Sequence, residues 1–203
     1  MEFWSELLTQ KSWTVLLDLK KRPFAFIVIG GWAAYLWTRL HKSKDVDIVL
    51  RTMEDLRFLK ENYELKKNDR LKKYEIAFGD IDVDIYVPYY SALAIPAQDL
   101  HTLTSSIEGI TVVIPEALLI LKQGAELDRA DSVKGSKDRV DIMALLCFCD
   151  IDFGKYNRLL ARYRLETYRR RLQTIIRGFD DLRYLGLTPR QYKLKKKALL
   201  GNI

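Results

Sequence analysis

The sequence predicts an α/β (α+β) fold: a mixed sheet with flanking helices, followed by a C-terminal helical region. Three observations predict it. Phe24–Ile29, FAFIVI, is an unbroken apolar run of strand length. The segments DVDIVL (Asp45–Leu50) and IDVDIYV (Ile81–Val87) alternate polar and apolar residues with period 2, as half-buried strands do. From Pro115 onward the apolar spacing becomes helical.

The elements follow in order. Residues 3–21 space Phe3, Leu7, Leu8, Leu16 and Leu17 as an amphipathic helix, closed by Pro23. Phe24–Ile29 is a buried strand, broken by Gly30-Gly31. Trp32–His41 is a helix, with Trp32, Ala33, Leu36 and Leu40 able to share a face. Asp45–Leu50 is a strand and Met53–Glu61 a short helix. Tyr63–Lys67 and Leu71–Phe78 form two strands around an Asn68-Asp69 turn. Ile81–Val87 pairs with the preceding run across Gly79-Asp80. Thr102–Ile114 holds a hairpin around Glu108-Gly109. Pro115 suits the first position of a helix that runs to Asp128. Arg129–Ser136 reads as a polar loop, Lys137–Cys149 as a helix, Tyr156–Arg177 as one long Arg-rich helix, and Thr188-Pro189 as the start of a last one ending at Leu200-Gly201. The expected division is an α/β part over 1–114 and a helical part over 115–203.

The 203 residues are 48% hydrophobic, enough for a core, and 30% charged, with 10 Gly and 5 Pro, which excludes fibrous and low-complexity classes. No window reaches the roughly 18 apolar residues of a membrane helix. Glu2 and Glu6, with Lys11 soon after, argue against a signal peptide. Cys147 and Cys149 are too close in sequence for an unstrained disulfide, and they lack the partners of a zinc site. They read as buried thiols, and together these features favour a cytoplasmic location.

Charge is unevenly spread. The net charge is +7, yet residues 154–203 hold 14 Lys and Arg against three Asp and Glu, a surplus of +11, which leaves residues 1–153 at −4. Such asymmetry points to a polyanionic partner, nucleic acid first; a solvated basic helical face is the plainer explanation.

Asp45 and Asp47 stand at i and i+2 of one strand, so both carboxylates project to one side while Val46 and Ile48 face the core. Asp82 and Asp84 repeat the pattern. Carboxylates crowded on neighbouring strands repel unless water or a cation neutralises them. Oxygen ligands of this kind suit Mg²⁺, which keeps waters and accepts phosphate oxygens. A buried strand running into Gly30-Gly31 at a helix start leaves backbone N–H groups accessible to a phosphate. The phosphate cradle and the carboxylate pair then lie one crossover apart.

This ordered set, FIVIGGWAAYLWTRLHKSKDVDIVL and then GDIDVDIYVP, resembles the DNA polymerase β nucleotidyltransferase superfamily over residues 24–88. Residues 115–146 are similar to the helical portion of small prokaryotic nucleotidyltransferases related to toxin–antitoxin and abortive-infection proteins. The resemblance implies a nucleotidyltransferase-type sheet, with Gly30 and Gly31 holding the triphosphate of an NTP. Asp45 and Asp47 would bind two Mg²⁺ ions (or Mn²⁺). A third carboxylate would act as metal ligand or base: Asp84, because IYVP follows it, with Asp82 on the same face as competitor. Asp80 reads as a turn residue. Lys122 would contact phosphates or stand as a surface lysine, and Lys44, with Lys42, would help hold the triphosphate or face solvent. Asp138, beside Lys137, opens the next helix. Trp32 stands where the family often has Ser, which leaves phosphate contacts to the backbone.

The implied reaction moves a nucleoside monophosphate from NTP to an acceptor hydroxyl. RNA or tRNA is favoured through Arg158, Arg162, Arg169, Arg170, Arg171 and Lys195–Lys197, with Tyr163, Tyr168, Tyr184 and Tyr192 either stacking bases or packing in a core. A protein acceptor, a cognate toxin or antitoxin partner, and a small hydroxylated acceptor remain open. The alternative is a non-catalytic binding module that acts with a partner protein.

Overall fold

The computed structural model describes residues 3–203; Glu2, one of the early charges, lies outside them. The chain divides into two compact units between Ile114 and Pro115.

The first unit opens with α1 (Glu6–Lys20), capped by the Ser5 hydroxyl. Then come β1 (Phe26–Val28), α2 (Gly30–Thr38), β2 (Val46–Leu50) and α3 (Met53–Asn62). Thr52 and Asp55 start α3 with a reciprocal capping box. β3 (Lys66–Asn68), β4 (Lys73–Phe78), β5 (Ile81–Tyr86), β6 (Thr104–Ile107) and β7 (Ile110–Val113) complete a seven-stranded sheet of order β3-β4-β5-β2-β1-β7-β6. The sheet is mixed: β1–β7 and β2–β5 are parallel, the other pairs antiparallel. Its centre is dry, with Val28, Val46, Ile48, Val83 and Ile85 all fully buried. α1 packs on β2 and β5 and presents buried Ser12, whose hydroxyl accepts from Trp32 Nε1 at 2.8 Å.

The β1–α2–β2 segment departs from the expected crossover. β1 and β2 are adjacent and antiparallel, with Val28 opposite Ile48. A parallel crossover would carry the end of β1 to the far end of β2. The antiparallel return instead lays the end of β1, and hence Gly30, beside the start of β2, and hence Asp47.

The second unit holds α4 (Pro115–Asp128), α5 (Val133–Phe148), α6 (Phe153–Arg162), α7 (Thr167–Gly178) and α8 (Pro189–Asn202). α4 is central, packing on α5, α6 and α7. Fully buried Glu126 on α4 accepts from both Arg139 and Arg171, which ties the three helices together.

Four expectations need correction. The first hairpin turns at 69–72, not at Asn68-Asp69, because β3 reaches Asn68, whose side-chain oxygen accepts from Leu71 N. Residues 133–136 are helical rather than loop, since Ser132 caps α5 at Gly135 N. Lys137 and Asp138 therefore lie inside α5 and do not open it. The long helix 156–177 is two: α6 ends where Arg164 takes φ 58° and Leu165 N reaches back to Leu160 O at 2.8 Å. Cys147 and Cys149 are free thiols, each pushed up to about 11 by burial. No helix among the described residues is long and apolar enough to cross a membrane.

Candidate active site

The site gathers where β1, β2, β4 and β5 lie side by side. In β2 the buried Val46 and Ile48 leave Asp47 between them on the opposite face, half-exposed. In β5 the same alternation leaves Asp82 exposed and Asp84 half-buried. Parallel pairing sets Asp47 directly beside Asp84, and Asp45 immediately precedes the strand. Asp82 sits nearer the hairpin turn, opposite Ala77.

Gly30 begins α2 with φ 65°. Its backbone conformation and its surroundings both require glycine: a Cβ there would fall 2.1 Å from Asp47 Oδ2. Ile29 N donates to Asp47 O at 3.0 Å, which fixes this approach. A Cβ on Gly31 would fall 2.5 Å from the Oγ of buried Ser43. No side chain caps this helix start, and buried Trp32 follows the glycines. The helix start, which carries the positive end of the helix dipole, lies beside the Asp47 carboxylate at Gly30. Lys42 and Lys44, in the loop before β2, are both half-buried.

Lys73, which sequence reasoning missed, completes the site. Its side chain is only 11% exposed, and its ammonium lies 2.6 Å from Asp84 Oδ2 and 3.0 Å from Glu75 Oε1. Glu75 pairs with Asp84 in the β4–β5 register and also accepts from Asn68. Burial, then the neighbouring Asp47 charge, pushes the Asp84 carboxyl up to about 6 against the pull of Lys73. Burial works to lower the Lys73 pKa, but its bonds to Asp84 and Glu75 leave it raised, so the ammonium stays charged. Among the described residues, no three carboxylate, imidazole or thiolate side chains converge closely enough to hold a metal ion.

Lys122 belongs to the helical unit. It is buried, and its ammonium lies 3.1 Å from Asp138 and 2.7 Å from Asp141. Lys137 also pairs with Asp141, and Arg129 with Asp138. Two cations of the C-terminal region make part-buried bonds within the unit, Arg171 to Glu126 and Lys195 to Cys147 O, and Lys196 donates to Arg177 O at the surface. Arg158, Arg162, Arg169 and Arg170 are exposed. Tyr192 packs in the core, donating to Ile176 O.

No protein-family model matches the sequence, and no curated protein does. Solved structures do. ANT(2'')-Ia in complex with adenylyl-2''-tobramycin aligns over 80% of this chain and 99% of its own, at 15% identity and TM-score 0.52. The solution structure of the antibiotic-resistance factor ANT(2'')-Ia aligns over 82% and 96%, at 15% identity and TM-score 0.51. A nucleotidyltransferase-type protein from Helicobacter pylori aligns over 98% of each chain, at 17% identity and TM-score 0.41. The first two matches show that this chain has the nucleotidyltransferase fold.

Proposed function

We propose that the protein transfers a nucleoside monophosphate from an NTP to an acceptor hydroxyl and releases pyrophosphate. The observation that carries this reading is the placement of Asp47 beside Asp84 on parallel strands, with the Gly30-Gly31 helix start against Asp47. The residues fit a divalent cation. Two carboxylates are held side by side, and burial followed by the Asp47 charge raises the Asp84 pKa, while the missing Cβ at Gly30 lets the Asp47 carboxylate lie against the helix start. When bound, Mg²⁺ would offset charge on the phosphates.

The chain's own residues then divide the work. Asp45 and Asp47 hold the cation. Backbone N–H groups at Gly30 and Gly31 bind phosphate oxygens, with Lys44 as a nearby charge partner. Asp84, with Oδ2 bonded to Lys73, presents Oδ1 to take the proton of the acceptor hydroxyl; a carboxyl near 6 is matched to that task at neutral pH. Losing Asp45 or Asp47 should lower the rate on the order of a thousandfold.

RNA is the acceptor that the charge asymmetry favours, bound through the exposed arginines of α6 and α7. A small hydroxylated molecule is the second reading, favoured by the adenylyl-tobramycin in one structural neighbour. Incubation with each α-labelled NTP, Mg²⁺, cellular RNA and lysate protein tests this. The expected outcome is a labelled RNA band that disappears in the Asp45→Asn/Asp47→Asn variant. A labelled protein band would move the acceptor to protein. NTP consumption without a labelled macromolecule would favour the small acceptor, and no consumption would reduce the fold to a binding module.

A further inference from the structure

We infer that Lys73 occupies the place of one of the two divalent cations expected at this site, so that the protein takes up a single ion, on Asp45 and Asp47. The inference rests on the nucleotidyl-transfer reading and adds the make-up of its cation site. A lysine with 11% of its side chain exposed is uncommon, and a buried ammonium persists only where carboxylates surround it. Lys73 lies between Glu75 and Asp84, and Asp84 in turn stands beside Asp47 on the next strand, so the built-in cation is shared by two carboxylates of a row of three.

The strand register makes this cation a fixed part of the site. Glu75 is opposite Asp84, and Lys73, two residues before it, projects to the same face of the sheet. The ammonium therefore reaches Asp84 from β4, on the side away from Asp47 and β2. A divalent ion bound to Asp84 would lie close to this ammonium and meet like-charge repulsion where both side chains are largely buried. One of the two Asp84 oxygens, Oδ2, is already bonded to Lys73, and among the described residues the acidic side chains do not converge in a threesome. Asp47 lies on β2, on the other side of Asp84 from Lys73, so an ion there is a strand further from the ammonium. Two carboxylates, waters and substrate phosphates suffice for one Mg²⁺.

Mn²⁺ titration of the full chain, read by the electron paramagnetic resonance of the free ion, tests the inference. The wild type should bind one Mn²⁺, lost in Asp47→Asn and changed less than about twofold in affinity by Asp84→Asn. Lys73→Met should bind a second ion, and that second site should vanish in Lys73→Met/Asp84→Asn. Lys73→Gln, which keeps polarity without charge, serves if the Met variant does not fold, and circular dichroism establishes folding of each. Two ions on the wild type, a tenfold weakening by Asp84→Asn, or one ion on every folded Lys73 variant would overturn the inference while leaving nucleotidyl transfer intact. Absence of Mn²⁺ binding together with absence of labelled product would overturn both.

Discussion

At the residue scale the site is a set of close approaches, each of which can be broken singly. Gly31 has ordinary backbone angles, so its need for glycine comes from Ser43 alone, whose Oγ and Cβ would lie 2.5 and 2.8 Å from an added Cβ. Gly31→Ala should therefore cost about 1–3 kcal/mol, typical of overpacking. Ser43→Gly should restore most of it in the double variant, read by denaturant unfolding; absence of rescue would mean that the helix start tolerates no side chain for another reason. Gly30→Ala should not be rescued by any change at position 47, because φ 65° disfavours a Cβ regardless of space. Asp84 makes a prediction in pH. Its folded value of about 6 lies above its ordinary 3.8, so between the two the folded protein holds a proton that the unfolded chain releases. The contribution is present in full below pH 4 and is lost as pH rises through 6, amounting to about 3 kcal/mol at most. Asp84→Asn should thus stabilise the metal-free protein at pH 7 and leave it nearly unchanged at pH 4. Thermal melts at the two pH values read the difference, and equal shifts at both would refute the assignment.

At the scale of elements, what was legible depended on whether the signal was local. The alternation of DVDIVL and IDVDIYV placed both strands within a residue of their ends, and Glu108-Gly109 marked its hairpin. Lys73 was legible in principle. A hairpin turning at Gly79-Asp80 puts Glu75 opposite Asp84 and Lys73 on the same face, but Lys72-Lys73 reads as an exposed pair until that register is drawn. The antiparallel return of β2 was not legible, because a strand–helix–strand pattern ordinarily signals a parallel crossover. Nor was the break between α6 and α7. Arg164 stands in the left-handed conformation that ends helices, a place where glycine is usual, and neither Gly nor Pro marks it. The last two turns of α6 nevertheless close with the backbone bonds of an ordinary glycine cap. Arg164→Gly should therefore stabilise the protein by up to about 1 kcal/mol in chemical denaturation, by relieving the left-handed backbone, whereas Arg164→Val should destabilise it. If both variants destabilise equally, the arginine side chain matters more than its backbone.

For the whole molecule, the chemistry and the charge belong to different units. The carboxylates, the glycines and Lys73 lie before residue 115, while the +11 surplus lies after residue 153. Part of that surplus is structural: Arg171 and Lys195 satisfy part-buried acceptors, so replacing them would test folding and not recognition. Arg158, Arg162, Arg169 and Arg170 are different. They are exposed, and their partners, Asp152 for Arg158 and Asn157 for Arg169, are surface contacts worth little to stability. If these arginines meet RNA phosphates, each contact releases counterions, and the affinity for a single-stranded RNA should fall with salt at a log–log slope of about −0.7 per phosphate contact. Changing all four to Gln should then flatten the slope by up to about 3 and weaken binding at low salt, with the melting temperature and Mn²⁺ uptake near wild type. Fluorescence anisotropy across a salt series reads this directly. An unchanged slope would remove α6 and α7 from RNA recognition and, with NTP consumption retained, turn the acceptor search toward small hydroxylated molecules. A flattened slope accompanied by lost transfer to RNA, but retained NTP binding, would place acceptor capture in the helical unit and phosphoryl chemistry in the sheet.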